Sequence, residues 1–83
     1  MTMKPLHQLA PGERAYIVDM RNSKLCEVLF KLGVFPGDLV EMTENNQLNK
    51  SLVVRINNKH YNIHRLAAET IITNVVSFEM GLN

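Results

Sequence analysis

Eighty-three residues, 46% of them hydrophobic and 20% charged, describe one small globular domain whose compact form buries only about 60% of its unfolded surface. Nine basic residues against eight acidic ones leave a formal charge of +1, so no global field recruits nucleic acid or an anionic membrane. A single cysteine, Cys26, excludes an internal disulfide and any multi-cysteine zinc or iron–sulfur site held by one chain.

Proline and glycine punctuate the chain. Leu9-Ala10-Pro11-Gly12-Glu13-Arg14-Ala15 is echoed by Val34-Phe35-Pro36-Gly37-Asp38-Leu39-Val40. Each Pro-Gly pair predicts a type II turn, because proline pre-sets the first central residue and glycine supplies the positive φ of the second. The intervening sequence is not duplicated, so the echo is not a repeat unit. After the first turn Glu13 to Asp19 alternates, with Ala15 and Ile17 on one face and Tyr16 and Val18 on the other, and predicts a strand. Arg21-Asn22-Ser23 is a polar break in which Asn22 or Ser23 can cap a helix. Leu25, Val28, Leu29 and Leu32 follow at i, i+3, i+4 and i+7, which predicts a helix with that stripe inward and Gly33 as its stop.

Asp38 to Glu44 predicts a second strand with Val40 and Met42 on one face, and Asn45 to Lys50 reads as a polar loop. Ser51 to Ile56 is the third strand, with Leu52, Val54 and Ile56 inward. Asn57-Asn58 predicts a type I′ hairpin turn, since asparagine tolerates left-handed backbone. Lys59 to Ile63 then returns with Tyr61 and Ile63 inward. His64 to Glu69 is long enough for a helical turn, and Thr70 to Val76 closes as a β-branched strand. Five strands with one helix after the first predict a small antiparallel barrel over residues 1–76, followed by a tail, residues 77–83.

In this order and spacing the chain resembles the FeoA family. The resemblance is carried by Leu6 and Leu9 before Pro11-Gly12-Glu13, by Ala15 and Ile17, by Leu25 to Gly33 leading into Pro36-Gly37, and by Ile63-His64-Arg65 followed by Ala68 and Ile71. It covers about Leu6 to Val76. It implies a mainly β, SH3-like small antiparallel barrel with one α-helix, and an accessory role in ferrous-iron uptake by docking on the cytosolic part of the FeoB transporter. The same domain ends some iron- and manganese-responsive repressors, which makes a metal- or nucleic-acid-linked regulatory module the alternative. The sequence departs from the family in lacking Gly and Pro in the Asn45 to Lys50 loop, in using Asn57-Asn58 for the hairpin, and in running past Val76.

The residues argue for surface recognition over chemistry. No serine or cysteine is paired locally with a base, and no phosphate-binding GxxxxGK[ST] loop occurs, so neither catalysis nor a cofactor is expected. Cys26 sits beside the apolar stripe and reads as structural or half-exposed. His60 and His64 share one strand face but lie about 13 Å apart at roughly 3.3 Å per residue, too far to chelate one ion unaided, and His7 is remote, so no metal site is expected. No apolar run reaches the roughly 18 to 20 residues that span a bilayer, and residues 1–9 lack a signal-peptide stretch, which places the expected location in the cytosol without membrane insertion.

Two surfaces stand out. Cys26 and Phe30 fall on one flank of the helix with Lys31 nearby, and Phe35 follows just beyond Gly33; with an apolar contact and a charged edge, Cys26, Phe30, Lys31 and Phe35 are the candidate partner-binding residues. The competing reading has Phe30 folded over the barrel rim or Phe35 plugging its end. Lys50, Arg55, Lys59 and Arg65 form an acid-free basic stretch, the candidate steering patch for an acidic partner. Nucleic acid is not the expected partner, since the rest of the chain is net acidic and aromatic residues make up only 6%, with no Trp. The same scatter of aromatics argues against a polyproline groove. The helix and an open strand edge are also the features through which weak self-association would occur.

Overall fold

The computed structural model describes residues 2–76. The chain forms, in order, β1 (Thr2–Pro5), a 3-10 turn (Leu6–Gln8), β2 (Arg14–Met20), α1 (Ser23–Lys31), β3 (Leu39–Asn46), β4 (Ser51–Ile56), β5 (Lys59–His64), α2 (Arg65–Ala68) and β6 (Ile71–Val75). This is the expected mainly β, SH3-like architecture with one principal helix. All strand pairs are antiparallel and the sheet runs β1-β6-β2-β3-β4-β5. Closure is the first correction: among the described residues β1 and β5 remain edges, so the barrel is bent but its ladder is not joined. The expected tail, residues 77–83, lies outside the described residues.

The echoed Pro-Gly segments explain the bend. In each turn the residue after glycine donates back to the residue before proline (Glu13 N to Ala10 O, 2.9 Å; Asp38 N to Phe35 O, 3.1 Å), with φ of 91° at Gly12 and 100° at Gly37. The acid then completes the turn: Glu13 Oε1 accepts from Ala10 N and Asp38 Oδ2 from Phe35 N, both at 2.8 Å. Each turn docks on the strand that follows the other turn. Gly12 N donates to Met42 O while Met42 N donates to Glu13 O; Gly37 N donates to Ile17 O while Ile17 N donates to Asp38 O. With β2 and β3 paired through Ala15↔Val40, the two halves are related by a local pseudo-two-fold centred on that pair. The same symmetry relates the two bulges, at Ile17/Asp19 against β6 and Met42/Glu44 against β4. Bulges increase local twist, so two at equivalent places curl the sheet on both sides of its centre. The echo is therefore a strand-pair symmetry and not a repeated domain.

One face of this sheet holds the core. Ala15, Ile17, Val40, Met42, Leu52, Val54, Ile56 and Ile63 are buried, as the alternation predicts, while Tyr16 and Val18 face outward. Leu6, which opens the 3-10 turn, and Leu9, which follows it, are also fully buried. Asn57 and Asn58 take φ of 54° and 65°, the two left-handed residues a type I′ turn requires.

Two elements differ from expectation. Thr2–Pro5 forms a strand on β6 (Thr2↔Val75 to Pro5↔Ile72), giving six strands instead of five. The segment expected to be a loop from Asn45 begins instead as the end of β3, where Asn45 pairs with Leu52 and Asn46 with Ser51. Its tight return is closed by Asn46 Oδ1, which accepts from Leu48 N and Asn49 N at 3.0 Å each.

Candidate docking surface

Helix α1 begins at Asn22, whose Oδ1 accepts from Lys24 N and Leu25 N at 3.1 Å. It ends in a paired closure: Gly33 N donates to Phe30 O and Val34 N to Leu29 O, at 3.0 and 2.8 Å, with Gly33 at φ 86°. That pattern is the Schellman motif, in which the residue after the glycine packs beside the last inward helical side chain. Here the two are Val34 and Leu29, both buried.

This closure sets the rotation of the helix and corrects the expected stripe. Leu29 is the buried residue of α1, and Leu25 and Cys26 pack half-buried against the core. Val28 and Leu32, expected inward, are 54% and 50% exposed. At about 100° per residue, a core line through Leu25, Cys26 and Leu29 leaves Val28 and Leu32 on one flank and Phe30 on the other, with Glu27 and Lys31 on the crest.

The candidate partner-binding residues lie around the Phe30 flank. Phe30 and Phe35 are 44% and 47% exposed, and their rings meet with centroids 5.0 Å apart and planes tilted by 37°. Aromatic pairs at this separation attract each other by about 0.5–1.5 kcal/mol beyond the area they bury. Cys26, one turn before Phe30, is turned toward the core, and Lys31 is exposed on the crest. Val28 and Leu32 are the apolar side chains that sequence periodicity assigned to the interior; the Gly33-Val34 closure was the signal that would have placed them outside.

The four basic residues separate. Arg55 is joined to Glu41 of β3, and Arg65 Nη1 donates to Asn45 Oδ1 at 2.7 Å. Lys59 follows the hairpin turn, while Lys50 stands at the opposite end of β4, where its carbonyl accepts from Arg65 N. Arg55 and Lys59 thus mark one end of the hairpin, Lys50 and Arg65 the other, roughly 17 Å away at about 3.3 Å per residue. Arg14, Glu41, Arg55 and His60 form one row across four strands, and the first three line a depression of about 230 Å³ together with Leu39, Asn57 and Asn58.

His60 and His64 are exposed on β5, and His64 Nδ1 accepts from Leu66 N to start α2. Among the described residues, no three His, Cys, Asp or Glu side chains are gathered to hold a metal ion. No helix among them is long and apolar enough to cross a membrane.

Asn45 is the polar residue that sequence reasoning passed over. Its Nδ2 donates to His7 O at 3.0 Å and Leu9 O at 2.9 Å, while its Oδ1 takes the Arg65 guanidinium. One amide therefore ties β3, the first short turn and α2 together. No pattern of spacing announces such a side chain.

A strongly bent antiparallel sheet with a capped helix between its first two central strands defines a small SH3-like domain. The sequence pattern of the FeoA domain matches residues 4–74, and the chain belongs to that family. The FeoA protein of Chlorobium tepidum is similar over 94% of this chain and 75% of that one, at 22% identity and a TM-score of 0.83. Iron(II) transport protein A of Clostridium thermocellum is similar at 30% identity and a TM-score of 0.80, over 88% of this chain but 46% of that one. A manganese-dependent transcriptional repressor shares the fold at 10% identity and a TM-score of 0.81, this chain spanning 42% of it. No curated protein matches the chain. Family membership associates the chain with ferrous-iron transport as a small accessory domain.

Proposed function

We propose that this protein is a non-enzymatic adaptor of ferrous-iron uptake that docks on the cytosolic part of a FeoB-type transporter. The observation that carries this reading is the Phe30–Phe35 pair, two large aromatic side chains nearly half exposed beside a helix whose other flank also exposes Val28 and Leu32. Exposed aromatic side chains are what an interface centre uses, because they supply large contact area with few rotatable bonds to order on binding. Phe30 and Phe35 supply the apolar contact, Cys26 supports it from the core side and Lys31 provides its charged edge. Lys50, Arg55, Lys59 and Arg65 act on encounter with an acidic partner; Arg55, already joined to Glu41, contributes least.

The test is co-purification of the full chain with the transporter's cytosolic region. Replacing Phe30 and Phe35 together with Ser abolishes it while the circular dichroism spectrum and unfolding midpoint stay near those of the parent chain. Retention equal to the parent's would remove this surface, and salt-sensitive retention on DNA in its place would favour the regulatory alternative.

A further inference from the structure

We infer that β5 is an acceptor edge for an extended, acidic segment of a partner protein, which joins the sheet as an added strand. This rests on residues separate from the Phe30–Phe35 surface and stands independently of it. Among the described residues β5 pairs with β4 alone, and at the other edge β1 pairs with β6 alone. The two edges are not equivalent. β1 has four residues and ends in Pro5, features that blunt an edge. β5 has six residues with neither proline nor glycine.

Pairing parity shows which backbone groups the edge offers. Arg65 N donates to Lys50 O at 2.8 Å, and hydrogen-bonded pairs alternate along an antiparallel ladder. Counting from that bond, Ile63, Tyr61 and Lys59 exchange bonds with Leu52, Val54 and Ile56, consistent with the two-residue turn at Asn57-Asn58. The N–H and C=O groups of His60 and Asn62 then point away from β4, where no described strand lies. Their side chains are exposed as well.

Charge selects the occupant. No acid occurs from Lys50 to Arg65, and Glu41, opposite Arg55 in the neighbouring strand, is already engaged by that guanidinium. Lys59 stands at one end of the edge and Lys50 at the other, with Arg65 reaching back from that end to Asn45 of β3, so a strand laid along β5 passes between positive ends about 20 Å apart. Acidic side chains on the incoming strand meet them; basic ones are repelled. Self-pairing is disfavoured by the same arrangement, because antiparallel β5 strands centred on Asn62 would set Lys59 of each copy against Arg65 of the other.

The test titrates the full chain, labelled with ¹⁵N, with a short synthetic peptide blocked at both ends that alternates glutamate with valine and threonine. Saturable shifts at the His60 and Asn62 amides, with slowed hydrogen exchange at both, are expected. Replacing glutamate with lysine removes them. Asn62→Pro weakens binding about tenfold, the loss of one backbone hydrogen bond, and leaves the hairpin folded because that N–H takes no part in the β4 ladder. Unchanged exchange at His60 and Asn62 in the parent chain overturns the inference whatever the variant does. So does equal binding of a glutamate peptide interrupted by proline, or of a single-stranded DNA oligonucleotide, which would indicate charge attraction without strand pairing. Amide shifts that grow with protein concentration alone would assign the edge to a second copy.

Discussion

At Asn45 one amide does what several apolar contacts do elsewhere in the core. Its two N–H groups satisfy carbonyls of His7 and Leu9 and its oxygen holds Arg65. Removing the amide leaves part-buried acceptors without donors, which costs more than the bonds themselves contribute. Asn45→Ala is expected to lower stability by about 2–3 kcal/mol in a denaturant titration. Asn45→Asp keeps the Arg65 contact but turns a carboxylate oxygen toward two carbonyl oxygens, so it should be no milder than alanine. A loss below about 0.5 kcal/mol for both would show that the three segments are held by apolar packing alone.

The elements follow from sequence to different depths. Where alternation was strict, as at Ala15 and Ile17 or Leu52, Val54 and Ile56, inward and outward faces are those the pattern predicts. Pro-Gly and Asn-Asn dictate their own backbone and were equally legible. Helix α1 was legible as a helix but not in its rotation. Its hydrophobic arc, with Val28 and Leu32 added to Leu25, Cys26 and Leu29, is wider than the core can cover, and periodicity cannot say which edge of a wide arc is left out. The Gly33-Val34 closure decides it by pinning Leu29 inward. Thr2–Pro5 was not legible because it contains one β-branched residue and a proline, and it becomes a strand only through the β6 edge beside it. Leu29→Ala should cost about 2–5 kcal/mol, while Val28→Ala should change stability by no more than about 0.5 kcal/mol. Thermal or chemical unfolding of the two variants checks the assigned rotation, and comparable losses would restore the stripe that periodicity predicts.

For the molecule as a whole, the paired Pro-Gly turns and the two bulges related by the same symmetry curl a short sheet around one core and leave two kinds of surface available. One is apolar, with the Phe30–Phe35 pair on α1 and the loop after it. The other is the β5 edge, unpaired among the described residues, with its flanking basic residues. The meeting of Phe30 and Phe35 was legible because Phe30 fell outside the helical stripe and Phe35 followed so closely. The basic stretch was legible as a charge run, but its division into two ends, with Arg55 and Arg65 each engaged, depends on hairpin register and on Glu41 and Asn45 in a neighbouring strand. Hydrogen–deuterium exchange of the full chain, with and without the purified cytosolic region of a FeoB transporter, tests the central claim most directly. Slowed exchange is predicted over α1 and the segment through Phe35 and Asp38, and protection confined to other parts of the sheet, or none at saturating partner, would contradict it.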